Sequence, residues 1–558
     1  MGVDVNENTT TNSSLTEPLI VATTTADEEE GSTTILLEGE EVTDNNHVIA
    51  VTDDGVQRGL LQLDEDEWEH GEVQNPMCRD LFFAILFVIQ LLVVLTFSGI
   101  GIVSASSIIN KYKDEFNTDD DTTHDDNDPS FDGQNVAYFA LLSIGSAIGI
   151  SGGLMLLLLG PLANMMIQVT LLMGPITNFV ASVLFFVYYN NVMMGCVALV
   201  MCAFSVCYAY MVWRRIPFAA ANIATAMEAL HENKGIFPLA YLVTIVATVW
   251  VTLWAIAVAN ITIQHKDWIY TTVTCTNNNT DYTLSSPEET DCTKITPGGY
   301  AIFFGLLLNL YWTSQVIGNC FHTTIAGVVG TWWFTTEEDR PKGCCTSTIY
   351  DCWVRTNIYS FGSICLGSLV VAILRVLHVL VSMGRNNNQQ NGGGGGAAIF
   401  WCLLECIVNL LEQIIEYLNH WAFVYVGLYG YDYITSGKKV IELFKSRGWT
   451  IIINDNLVHS AFSMLQFWIG IISGGVGAIS GKMFLEASTP WYAGAIFGFV
   501  LGLLFSSILF SVVNSAVDTV VVCFAESPNS LRFNHPPEIS NKMITAWKEV
   551  YPDECGCW

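Results

Sequence analysis

The stretch from Asn309 to Phe334, NLYWTSQVIGNCFHTTIAGVVGTWWF, constrains the chain more than any other. It is apolar enough to lie inside a membrane, yet it carries Gln315, Asn319 and His322, polar groups that lipid alone does not tolerate. At about 100° per residue on a helix, Tyr311, Gln315, Asn319, His322 and Ala326 fall within roughly one quarter of the circumference. Leu310, Ile317 and Val328 point elsewhere. Such a stripe belongs against a protein interior or a water-filled cavity. The plainer alternative is that these groups only hydrogen-bond to neighbouring helices. The apolar block, Tyr300 to Phe334, is also longer than the roughly 20 residues that cross a bilayer. Gly327 and Gly330 stand in its second half, where the helix is expected to break and expose backbone, as in many transporters.

The rest of the chain agrees with a membrane environment. Its 558 residues are 51% hydrophobic and only 13% charged, and the mean hydropathy is +0.42. Soluble proteins carry about a quarter charged residues, so no single soluble core explains this composition. The fold class that follows is an all-α integral membrane protein behind a disordered, acidic N-terminal tail. The net charge of −31 is concentrated in the first tail and in Asp114–Asp132, which read as solvated segments and not as a nucleic-acid-binding surface. Most of the 16 cysteines lie within apolar runs and act there as small fillers.

Taken in order, residues 1–76 form the cytosolic tail, residues 77–526 the membrane domain and residues 527–558 a cytosolic C-terminal tail. The first span is Leu81–Ile109, and an acidic outer loop follows it. That loop lacks the Gly and terminal Glu of an EF-hand. The next spans are about Val136–Leu159, Leu162–Tyr188 and Val192–Trp213. Gly145, Gly149 and Gly153 recur every four residues and suggest close helix packing. Arg214 and Arg215 mark a cytoplasmic end, which places the N-terminus inside. Ile216–Lys234 is amphipathic and is expected to lie at the inner interface.

The fifth span, Phe237–Ile263, leads to an outer loop holding Cys275, Cys292 and the glycosylation sequon at Asn278. Two cysteines in one outside loop predict a disulfide. After the Tyr300–Phe334 span the chain returns to the cytosol. Ile358–Met383 spans again, but Ala397–Leu428 carries Glu405, Glu412 and Glu416. This segment either spans with its acids turned inward or lies partly at the interface. Val458–Phe484 and Trp491–Cys523 complete the set, and the glycines from Gly474 to Gly481 read as helix packing.

Several blocks together resemble the choline transporter-like family of multi-span membrane proteins, in the form found in fungi, plants and protists. They are Arg215-Ile216-Pro217-Phe218-Ala219, the block from Tyr311 to Phe334, and Ser360–Arg375. The Cys402/Cys406 segment with Asn419 and Tyr429-Gly430, and Ser515–Glu526, complete the series in the family's order. The resemblance implies about ten spans with both termini cytosolic; the multi-pass protein is expected in the plasma membrane, with an internal membrane as the alternative. It implies alternating-access transport of choline or a related amine such as ethanolamine, with no cofactor. A channel or lipid scramblase of the same architecture is the alternative. An enzyme would need a nucleophile–base set or metal cluster, and the spans contain no His-x-x-x-His pattern.

A quaternary amine offers no N–H, so aromatic faces recognise it, each worth about 0.5–2 kcal/mol. The candidates inside spans and beside polar groups are Tyr311 and Trp312 with Gln315, Asn319 and His322. Trp332 and Trp333 stand at the inner end of the same block, where an interfacial belt is the competing reading. Asp518 sits in the final span as a counter-ion, a proton carrier or one half of a structural pair.

Overall fold

A computed structural model describes residues 74–116, 133–158, 163–276, 289–341, 343, 346–390, 395–447, 450–484 and 491–550. In the separate N-terminal unit it describes one antiparallel hairpin, β1 (Thr33–Leu37) with β2 (Glu40–Asp44). The membrane unit opens with α1 (Leu81–Phe116), α2 (Gly133–Leu158), α3 (Ala163–Val187) and α4 (Val192–Val212). Next come α5 (Ile216–Glu232), α6 (Ile236–Gln264) and the single turn α7 (Lys266–Ile269). A hairpin of β3 (Tyr270–Thr276) and β4 (Glu289–Ile295) leads into α8 (Pro297–Phe334). The chain then forms α9 (Ser347–Val354), α10 (Phe361–Gln390), α11 (Gly395–Tyr429), α12 (Tyr433–Arg447), α13 (Thr450–Phe484) and α14 (Trp491–Glu526). It closes with α15 (Pro528–Asn534) and α16 (Pro537–Val550).

Among the described residues, nine helical segments are long and apolar enough to cross a membrane. A shorter apolar run, Tyr138–Leu154 in α2, stands beside them. The all-α, many-span class expected from hydropathy therefore holds.

The connections between spans collect at opposite ends of the bundle. At one end Arg340, after α8, hydrogen-bonds to Glu232 of α5 and to the backbone of Asn534. At that end too, Trp547 of α16 donates to Asn222 of α5 (3.3 Å), and Ser363 donates to Asp80 before α1 (2.6 Å). These are the segments assigned to the cytosol from the Arg214-Arg215 pair. The β3–β4 hairpin and α7 meet the start of α8 at the other end, where Thr296 caps the helix by accepting from Gly299 N.

Three local expectations need correction. Helix α8 runs unbroken past Gly327 and Gly330. These glycines admit α11 instead: a Cβ at Gly330 would lie 2.1 Å from Leu428 Cδ2, and one at Gly327 would lie 3.3 Å from Gly427 O. Gly145, Gly149 and Gly153 of α2 have open space around them. The buried small-residue stripe is Ser143, Ala147 and Ser151, and the Ser143 hydroxyl lies 3.3 Å from that of Ser480. Helix α5 is largely buried under α16, with Phe218 against Trp547 at 4.8 Å, and so does not rest on lipid. The glycines of α13 do pack closely: a Cβ at Gly477 would meet Gly494 O of α14 at 2.3 Å.

Candidate functional site

Helices α8, α11 and α13 surround a cavity of about 310 Å³, the lower end of the range for ligand pockets. Its wall is polar: Gln315 and Asn319 from α8, Gln413, Glu416, Tyr417, Asn419 and His420 from α11, and His459 from α13. Two of the five residues of the stripe first read on α8 thus face this space. Asn319 Nδ2 donates to Ser368 Oγ at 2.9 Å. Gln315, with its amide oriented to satisfy both atoms, accepts from Arg375 Nη1 at 2.7 Å and Nη2 at 3.0 Å.

His322 lies one turn deeper and is buried. Its Nε2 is 3.1 Å from the His420 carbonyl, which only accepts, so Nε2–H donates there and Nδ1 accepts from the Ser515 hydroxyl at 2.8 Å. The imidazoles of His322 and His420 stack at 4.0 Å. His420 then reaches Asp518 of α14, Nε2 to Oδ2, at 2.6 Å. Asp518 is only 1% exposed, so it meets the imidazole and not the open cavity. One ligand atom each from His322, His420 and Asp518 lies within 4.8 Å of the others, the kind of grouping that holds a metal ion. Their hydrogen bonds already use both His322 nitrogens, His420 Nε2 and Asp518 Oδ2, so the cluster is satisfied by its own partners.

The acids on α11 meet basic side chains of α10, and the segment is long and apolar enough to cross a membrane. Arg375 pairs with Glu412 (3.4 Å) and Glu416 (2.6 Å), His378 with Glu412 (2.9 Å), and Arg385 with Glu405. Helices α10 and α11 thus form an antiparallel pair in which each acid meets a basic side chain, as intramembrane ions must. Sequence reasoning flagged the three glutamates and missed their partners. The available signal was spacing: Arg375, His378 and Arg385 recur on one face of the preceding apolar segment.

The aromatic candidates lie elsewhere. Trp312 is buried among Phe87, Val316, Ile364 and Phe423. Its Nε1 donates to Cys365 O at 2.9 Å, and Phe87 stands edge-on to it at 5.3 Å. It borders a separate cavity of about 680 Å³ whose wall is mostly aliphatic, with Gln90 and Asn309 as its polar members. Tyr311 packs against the same cluster. Trp332 and Trp333 are both buried at the inner end. Trp333 Nε1 donates to Ser527 O (3.1 Å), and Trp332 carries Arg340 over its ring (5.3 Å) and His535 beside it (4.0 Å). The structure therefore brings together Gln315, Asn319, His322 and Asp518, joins them to His420 and His459, and places the four rings outside that group.

In the outer hairpin the register pairs Cys292 with Val273 and Cys275 with Thr290, so the two cysteines are diagonal and not opposite. Diagonal positions are about 7–8 Å apart, at the limit of disulfide reach. Their side chains and Asn278 lie outside the described residues.

A family profile described as plasma-membrane choline transporter matches residues 196–529. Protein PNS1 of Gibberella zeae is 25% identical over 493 residues, 86% of this chain and 85% of the relative. Protein PNS1 of Saccharomyces cerevisiae is 25% identical over 389 residues, 68% of each chain. Protein pns1 of Aspergillus fumigatus is 25% identical over 348 residues, 61% of this chain and 60% of the relative.

Proposed function

Because the chain belongs to the plasma-membrane choline transporter family, we propose that it carries choline or a related small amine such as ethanolamine by alternating access. The observation that carries this reading is the polar cavity on the α8 stripe and its asymmetry. Along α11, Asn409, Gln413, Glu416 and His420 share one face, and Asn409 and Gln413 are exposed. In the other direction every residue from Trp421 to Tyr429 is buried. The inner end is sealed further by the Tyr429 hydroxyl donating to the Glu526 carboxylate and by Trp333 on Ser527. A site reachable from one side and packed shut on the other is what a carrier needs in one of its two states.

The charge of the site favours a cation. Arg375 and Arg385 face three carboxylates, Glu405, Glu412 and Glu416, which leaves the α10–α11 pair with an excess of negative charge when histidine is neutral. The cavity wall carries the Asn319 amide and the Glu416 carboxylate, groups suited to a substrate hydroxyl or ammonium. Tyr417 supplies an aromatic face beside them.

Uptake of labelled choline, ethanolamine and an unrelated amine into cells expressing this chain tests the reading. Saturable uptake of choline or ethanolamine above that of non-expressing cells is the expected result. Uptake of neither, with the protein present at the surface, rejects it.

A further inference from the structure

We propose that Glu416 is the counter-ion of the transported amine, held by Arg375 when the site is empty and released to the cation when it binds. This rests on the transport reading above and names the residue that would give it charge selectivity. The argument starts from stoichiometry within one cluster. A single guanidinium, Arg375, touches two carboxylates, Glu412 at 3.4 Å and Glu416 at 2.6 Å. Glu412 has a second partner in His378 at 2.9 Å, and its side chain is only 15% exposed. Glu416 is paired with Arg375, lines the cavity and is 46% exposed. Of the two, Glu416 is the one a ligand can reach.

Releasing Glu416 does not strand the arginine. Arg375 keeps Glu412 and the Gln315 carbonyl, so its charge and its N–H groups stay answered while the carboxylate turns to another cation. Asp518, the other acid nearby, is buried and held by His420, so it cannot make the same exchange.

The test is competition against labelled choline uptake by unlabelled choline and by its uncharged carbon isostere, dimethylbutanol. In the wild-type protein choline should compete at least about tenfold better, because only it gains the ion pair. In Glu416→Gln that preference should shrink to about twofold or less, whereas Glu412→Gln should retain it. Surface expression is measured for each variant. If Glu416→Gln fails to reach the membrane, Glu416→Asp serves, and it should keep the charge preference at lower affinity. An unchanged preference in Glu416→Gln, or its loss in Glu416→Asp or in Glu412→Gln alone, overturns the assignment of Glu416 and leaves the transport reading standing. A wild-type protein that takes up no amine removes both.

Discussion

His420 Nε2 stands 2.6 Å from Asp518 Oδ2, joining α11 to α14 through a carboxylate that is 1% exposed. Breaking a buried pair by removing one partner costs about 3–5 kcal/mol, because the other is left uncompensated. His420→Ala should therefore destabilise the protein more than Asp518→Asn, which leaves a neutral amide in place of the charge. Melting temperatures of the purified variants give the order directly. A larger loss for Asp518→Asn contradicts it.

Arg340 ties the inner end of α8 to α5 and to the C-terminal helices through three separate partners. Its Nη1 donates to Glu232 at 3.1 Å, and its Nη2 to Asn534 O at 2.8 Å and to His535 Nδ1 at 2.9 Å. A lysine presents a point charge in place of this planar fork. Arg340→Lys should thus behave nearly as badly as Arg340→Ala, both loosening α15 and α16. Hydrogen exchange in α16 measures this, and wild-type protection in Arg340→Lys would show that charge alone suffices.

Acid should weaken that same end. Burial and the Arg340 charge push His535 down from its ordinary 6.5 to about 4, with Glu232 and the Trp333 carbonyl pulling weakly the other way. The unfolded chain takes up the proton near 6.5, and the folded one resists until about 4. Stability from the neutral ring is therefore complete above about 6.5 and falls as pH drops through this window. His535→Gln should flatten that part of the melting-temperature profile between neutral pH and about 4.5. Parallel profiles for variant and wild type would contradict the assignment.

Trp312 gives a test of which face of α8 the substrate uses. The ring is packed on Phe87 and hydrogen-bonded to Cys365, away from the Gln315 cavity. Trp312→Leu should cost stability, about 2–4 kcal/mol for a large buried ring, and leave the concentration of choline needed for half-maximal uptake unchanged. A selective loss of affinity in a fully stable variant would return the site to the tryptophan.

How much of this was legible in the sequence depends on how far apart the partners lie. The spans were readable because each is a local run of apolar residues whose length the bilayer dictates. The α8 stripe was readable because Gln315, Asn319 and His322 share a face by helical period alone. His420 and His459 were not, since nothing local to them tells which helix they will meet. Trp312 misled because it stands within about 80° of Gln315, Asn319 and His322 on the helix, so period alone does not show that its ring packs on Phe87, Ile364 and Phe423 from other helices. The α2 glycines misled because the buried face is the opposite one, with Ser143, Ala147 and Ser151, and there Ser143 meets Ser480 of α13.

Counterflow is the most direct measure of the central claim, that this protein is a carrier for a small cationic amine. Proteoliposomes holding the full chain are loaded with unlabelled choline and diluted into a trace of labelled choline. A carrier exchanges the two, so label should rise transiently above its equilibrium level inside, and Asn319→Leu, in the cavity wall, should blunt the overshoot. Label that enters only to equilibrium and ignores the internal choline would contradict the account and mark the pathway as a channel.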